Sequence, residues 1–236
     1  MSHDSGAARR ALADPSLHAS LGGILRAARL DSGKTQRQVA AEAGVSAGLI
    51  GQFETGRTKP SVATLLAVAR VLQLSLDELF AEGDPNAAIA APAELKTTSS
   101  AWSPLEARVA RVGQREVITL EGGVTWELLT PEIDHDLTFM LVTYPPGSSS
   151  STSSQLLRHD DFEYFYITSG ELHVKVGFEE TVLAVGDSMS FDSTRPHRFV
   201  NRSGAATATG LWCVRNKTGD QRSQWRDRTG SRNAHG

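Results

Sequence analysis

The spacing of apolar residues changes once along the chain. Between Leu21 and Phe80 apolar positions recur every three or four residues, as in Ile24, Leu25 and Ala28 and again in Leu65, Leu66, Ala69 and Leu72. That spacing lines one face of an α-helix. From about Trp102 to Arg215 they fall in short alternating runs between Gly, Pro and Asp turns, the signature of strands with one buried face. Residues 81–101 separate the two patterns. They hold Gly83-Asp84-Pro85, an Ala/Pro stretch and Thr97-Thr98-Ser99-Ser100, and read as a linker. Residues 1–19 are small and polar without periodicity and are expected to be mobile; residues 216–236 are polar and basic and are expected to be a disordered tail. The predicted fold is α + β in two domains, with helices in residues 20–80 and strands in residues 102–215.

Capping residues divide the first domain into five predicted helices. The first runs from about Leu21 to Leu30. Thr35, with Gln38 three residues on, forms a capping box for the second, and Gly44 suits its left-handed C-terminal position. Ser46 caps a third helix that reaches about Glu54 and stops at Gly56, and Ser61 caps the fourth. Ser75 and Glu78 make a second capping box, for a short fifth helix ending at Leu79-Phe80.

Composition narrows the class. The 236 residues are 39% hydrophobic and 22% charged, which suits a globular chain rather than a disordered one. No apolar run reaches the roughly 18 residues a membrane span needs, and nothing near Met1 reads as a secretory signal. Cys213 is the sole cysteine, so no intrachain disulfide can form, and a cytoplasmic location is expected. The net charge of −3 argues at first against a nucleic-acid partner, but it is unevenly spread. Residues 20–80 have seven Lys/Arg against five Asp/Glu, residues 81–215 have ten against 18, and residues 216–236 have five against two. A mildly basic head is thus joined to an acidic body and a basic tail.

Ala43-Gly44-Val45-Ser46 is the short glycine-containing turn of a helix-turn-helix. With Thr35-Gln36-Arg37-Gln38, Ile50, Glu54-Thr55-Gly56, Pro60 and Leu74 to Phe80, the head resembles the XRE-type, lambda-repressor-like DNA-binding domains. The resemblance implies that the third helix enters the major groove, with Ser46, Ala47, Gly48, Gly51 and Gln52 at or near the bases. Gln52 offers a bidentate amide suited to adenine, and Ala47 only apolar contact. Gln36, Arg57 and Lys59 are expected at phosphates. Gly48 and Gly51 weaken this helix and leave few side chains to read bases, so backbone contacts, DNA shape and dimer spacing carry more of the specificity. A helical docking module without DNA is the competing reading.

Two blocks stand out in the body. One is Arg158-His159-Asp160-Asp161-Phe162-Glu163 through Gly170-Glu171; the other is Gly186-Asp187 through Phe191, then Arg195-Pro196-His197 to Asn201. They resemble the paired motifs of the cupin domain, a jelly-roll barrel. By that resemblance His159, Glu163 and His197 are metal ligands, while Leu157 occupies the place of the usual first histidine. Two imidazoles and a carboxylate suit Fe, with Zn, Mn or Ni also open; a His–Glu pair that merely satisfies itself is the alternative. His173 reads as an outward strand residue, Met189, Phe191 and Phe199 as barrel lining, and Cys213 as buried; His135 is assigned no role.

The expected function is a sequence-specific DNA-binding regulator whose barrel binds a small-molecule effector and joins two chains into a homodimer, with no membrane partner. The second reading is an enzyme. The head-plus-cupin layout and the His159/Glu163/His197 set also resemble the hydroxypropylphosphonate epoxidases, mononuclear non-haem iron oxidoreductases. That family grips its substrate with tyrosines, where this chain has Trp126-Glu127-Leu128-Leu129, and Glu127 is expected to repel an anion. No catalytic residue is assigned.

Overall fold

A computed structural model describes residues 21–76, 78–80, 105–131, 136–151 and 156–216. The expected N-terminal arm, the linker, His135 and all of the tail beyond Asn216 lie outside the described residues. The head contains four helices: α1 (Leu21–Asp31), α2 (Gln36–Ala43), α3 (Ala47–Glu54) and α4 (Val62–Leu72). Their ends follow the capping logic. Thr35 and Gln38 form a reciprocal capping box on α2, Gly44 closes that helix at φ 72°, and Ser46 and Ser61 accept the Leu49 and Thr64 amides. The expected fifth helix is a correction. The Glu78 carboxylate does accept the Ser75 amide and hydroxyl at 2.7 Å, one half of the box, but among the described residues only the 3-10 turn Glu78–Phe80 follows. So short a segment gains too few hydrogen bonds to offset the cost of helix nucleation.

The head closes on Leu25, Val39, Ile50, Phe53, Leu65, Val68 and Leu72, all buried. Gly22 is required here by packing: a Cβ would lie 2.4 Å from the Phe53 carbonyl oxygen. At the centre the Glu54 carboxylate, 2% exposed, accepts Arg29 Nη2 at 3.0 Å and Gln36 Nε2 at 2.8 Å.

The body is built from β1 (Val117–Thr119), β2 (Thr125–Leu128), β3 (Leu137–Tyr144), β4 (Asp161–Ser169), β5 (Leu172–Val176), β6 (Glu179–Leu183), β7 (Ser188–Asp192), β8 (His197–Val200) and β9 (Ala208–Asn216). All pairings are antiparallel. One sheet runs β1-β2-β3-β9-β4-β7 and the other β6-β5-β8. The turns fall at Gly170 and Gly186, both at positive φ. Gly170 is doubly constrained, since a Cβ would meet the Thr207 carbonyl oxygen at 2.4 Å. The expected closed barrel is also corrected: no ladder among the described strands joins the two sheets, which face each other as an open sandwich.

Alternation sorts the side chains. Tyr144, Phe165, Phe191 and Trp212 of the large sheet meet Phe199 of the small one. Phe165 and Trp212 stack at 4.4 Å, and such pairs add about 0.5–1.5 kcal/mol beyond their buried area. Met189 is half-buried against this core. Cys213 is half-exposed on the outer face rather than buried, because its register partners Phe139 and Tyr164 also point outward. Among the described residues no helix is long and apolar enough to cross a membrane.

Candidate functional site

Among the described residues the body offers one convergent cluster of possible metal ligands. Glu163 is the third residue of β4 and points between the sheets. His159 precedes that strand rather than standing on a neighbouring one, and the chain turns at Asp160 to bring its ring back. His197 opens β8 after Pro196 and is fully buried. His159 Nε2 lies 2.7 Å and His197 Nε2 3.3 Å from Glu163 Oε1. The three ligand atoms fall within 4.8 Å of one another and could hold a metal ion.

The surrounding hydrogen bonds define which nitrogens are free. His159 Nδ1 sits 2.7 Å from an Asp161 carboxylate oxygen and His197 Nδ1 2.9 Å from the Arg195 carbonyl. Both partners only accept, so each Nδ1 carries the proton and each Nε2 turns toward Glu163. Metal-binding histidines are oriented in this way, by a carboxylate or carbonyl on the other nitrogen. His197 Nε2 is buried without a hydrogen-bond partner. The far side of Glu163 is held too: Ser193 Oγ donates to Oε1 at 3.0 Å and Trp212 Nε1 to Oε2 at 2.9 Å. The donor set and its supports fit a divalent ion.

Without an ion, the same atoms form an ion pair. Burial alone would lower the His159 pKa, but its bonds to Asp161 and Glu163 outweigh that and raise it to about 9. Burial would raise Glu163, yet its close contacts with the His159 and His197 rings and their charges hold it well below the usual carboxylate range. Burial, reinforced by the Glu163 charge, pushes the Tyr144 hydroxyl up.

The cluster opens on a cavity of about 30 Å³. Leu157 lines it, with Trp126, Met140, Val142, Tyr144, Phe199, Trp212 and Val214. Glu127 does not: it lies one residue out of phase with Trp126 and pairs with Arg115 at 3.0 Å. The expected repulsion of an anion by Glu127 is therefore corrected. His173 faces outward on β5, in a separate surface hollow with Lys175, Glu180, Arg198 and Arg202.

In the head, Gly48, Gln52, Arg57 and Lys59 are exposed and Ala47 and Gly51 half-exposed. Gln52 accepts a bond from Thr58 Oγ1 at 3.1 Å. Ser46 spends its hydroxyl on the cap of α3. Gln36, expected at a phosphate, donates from its amide nitrogen to buried Glu54 at 2.8 Å. A Cβ at Gly51 would press on Gln36 Oε1 at 3.3 Å, whereas one at Gly48 meets nothing. Gly48→Ala should therefore stabilise the head by about 0.5–1 kcal/mol while weakening DNA binding, if bare backbone at this point is what the groove meets. Thermal melts paired with DNA titrations check both signs; a stabilised variant with unchanged affinity would remove Gly48 from the interface.

Asp161, Ser193 and Trp212 have supporting roles that sequence reasoning did not assign. Asp161 lies two residues from His159 and was open to local inspection. Ser193 and Trp212 reach Glu163 only through pairing of β4 with β7 and β9.

A family profile described as helix-turn-helix matches residues 25–79, and one described as cupin domain matches residues 140–214. The chain is 25% identical over 177 residues to the HTH-type transcriptional regulator PuuR of Escherichia coli (strain K12), covering 74% of this chain and 84% of that protein. It is 43% identical over 56 residues to the transcriptional regulator ClgR of Mycobacterium tuberculosis (strain ATCC 25618 / H37Rv), covering 24% of this chain and 50% of that one. A solved structure of an HTH_3 family transcriptional regulator from Vibrio cholerae is similar with TM-score 0.56 at 20% identity, over 85% of this chain and 97% of that one; this likeness speaks to the fold. The chain thus carries a helix-turn-helix domain followed by a C-terminal cupin domain, and along most of its length it is similar to a transcriptional regulator.

Proposed function

We propose that the protein is a sequence-specific DNA-binding regulator that acts as a homodimer and senses a small molecule through its cupin domain. The observation that carries the reading is the exposed, correctly capped α3, which presents Gln52 and the bare backbone of Gly48, with Arg57 and Lys59 beyond it. A single helix-turn-helix reads few base pairs, so two heads on half-sites about one helical turn apart are expected. The outer face of the large sheet suits a second copy. It sets Phe139, Leu141, Leu211, Cys213, Tyr164 and Tyr166 side by side, with Tyr164 and Tyr166 each more than 40% exposed. Contiguous apolar surface of this kind favours association. Selection of bound duplexes from a randomised library tests the reading: recovery of a two-fold-related sequence supports it, and recovery without any shared sequence contradicts it.

Within the same reading, His159, Glu163 and His197 hold a divalent metal, Fe, Zn, Mn or Ni, which would supply a Lewis-acid contact for the effector. Leu157, buried beside His197, tests that geometry. Leu157→His should tighten Zn²⁺ or Co²⁺ binding by at least about tenfold, the loss seen when even a supporting hydrogen bond is removed from such sites. Titration calorimetry reads this directly; unchanged affinity would place residue 157 out of ligand reach. The iron-oxidoreductase reading is less favoured, because no Lys or Arg lines the cavity to hold a phosphonate.

A further inference from the structure

The cavity above the His159/Glu163/His197 cluster is not closed by the sheets alone. Val62 and Leu66 of α4, and Leu76 just beyond it, form part of its wall. Helix α4 is also tied to the body at its start. The Ala63 amide donates to the Ser150 carbonyl at 2.9 Å, and the Glu121 amide donates to the Pro60 carbonyl at 2.9 Å. Pro60, Ser61, Val62 and Ser150 are all buried. These anchors stand immediately after Arg57 and Lys59, on the segment that leads out of α3.

Size makes this arrangement consequential. The room there is about 30 Å³. A water needs about 10–15 Å³ by the same measure, whereas sites for organic ligands span roughly 300–1,000 Å³. A cavity of that size accepts an ion, or two or three waters, and is too small for a metabolite. The sheet side of the wall is aromatic and interlocked, so it yields at high cost. The head side is three aliphatic side chains and two backbone hydrogen bonds.

We propose that the DNA-binding head is a wall of the effector site, and that an organic effector binds by displacing Val62, Leu66 and Leu76 and unseating α4 from the body. This rests on the effector-sensing reading above. It adds the route of coupling: the occupant and the seated head compete for one space, so binding shifts the population of seated heads. Loss of the seat frees Pro60 and Ala63, and with them the position of Arg57, Lys59 and α3.

The test needs no effector. Val142, 2% exposed on the inner face of β3, lines the cavity, and Val142→Phe puts a ring where a ligand would lie. Hydrogen exchange is then followed at the Ala63 and Glu121 amides in the full chain without DNA. The expected result is at least tenfold faster exchange at both amides, reversed in Val142→Phe/Leu66→Ala, where room is returned from the head side. Leu157→Phe serves as a second filler if the first variant does not fold. Unchanged exchange at both amides in a folded filler variant would overturn the proposal. Because this arm uses no DNA, it stands or falls separately from operator binding. In a second arm, Val142→Phe should change affinity for a duplex selected by the unsubstituted protein by at least tenfold, with Leu66→Ala restoring it. Exposed amides with unaltered affinity would overturn the coupling.

Discussion

Glu54→Ala is expected to unfold the helical head. The carboxylate is 2% exposed and is the acceptor for both Arg29 and Gln36. Its removal leaves the Arg29 guanidinium, itself 11% exposed, with the Lys34 carbonyl at 3.1 Å as its remaining acceptor among the described residues. Removing one partner of a buried ion pair costs about 3–5 kcal/mol, since the other charge stays desolvated without compensation. Whole domains have only about 5–15 kcal/mol of stability. Far-UV circular dichroism in a urea titration should show early loss of helix in Glu54→Ala, and DNA binding should vanish with it. Glu54→Gln keeps the shape and one acceptor, so it should fall between. A change below about 1 kcal/mol for alanine, the size of an exposed pair, would contradict the placement of this network at the centre of the head.

The second large effect is a pH dependence that a metal ion should reverse. The His159 pKa rises from 6.5 to about 9 on folding. A group whose pKa is raised contributes stability fully below its unfolded value and loses it as pH climbs through the folded one. Metal-free protein should therefore lose stability between pH 6.5 and 9. The shift corresponds to something on the order of 3 kcal/mol. Glu163 is shifted the opposite way, so its contribution is present above the ordinary carboxylate pKa and fades in acid. These are two views of one ion pair and count once. Metal binding requires Nε2 of His159 to be deprotonated, so stabilisation by Zn²⁺ or Co²⁺ should grow over the same interval. Melting temperatures of EDTA-treated and metal-loaded protein at pH 6 and pH 9 check this. The expected result is a falling melting temperature without metal and a widening gap with it. A metal-free protein that is flat across the interval, and equally flat in Glu163→Gln, would contradict the ion pair.

What was legible in the sequence was largely local. The caps at Thr35, Ser46 and Ser61 and the turn at Gly44 act within four residues of themselves, and the helices end where they say. The Ser75/Glu78 pair shows the limit of such signals: the Glu78 side chain bonds back to Ser75, but three residues of turn follow instead of a helix. The strand Leu137–Tyr144 was readable from alternation. Glu163 and His197, 34 positions apart in sequence, were linked only by resemblance to cupins, and the structure brings them together. Trp212 and Ser193 were not legible as supports because strand register, set far along the chain, delivers them to Glu163. The contact of α4 with the body was hidden for the same reason. Val62 and Leu66 read as helix core positions, and nothing local distinguishes an intradomain neighbour from a cavity wall.

The proposed function requires the head to read DNA sequence. It is tested most directly by titrating the full protein, at fixed physiological salt, with the duplex upstream of its own gene and with a scrambled duplex of the same length and composition. Phosphate contacts alone serve both duplexes alike, so the ratio isolates sequence reading. The upstream duplex should bind at least about 10³-fold more tightly, with the ratio reduced in Gln52→Ala. Equal affinity for the two duplexes would contradict it.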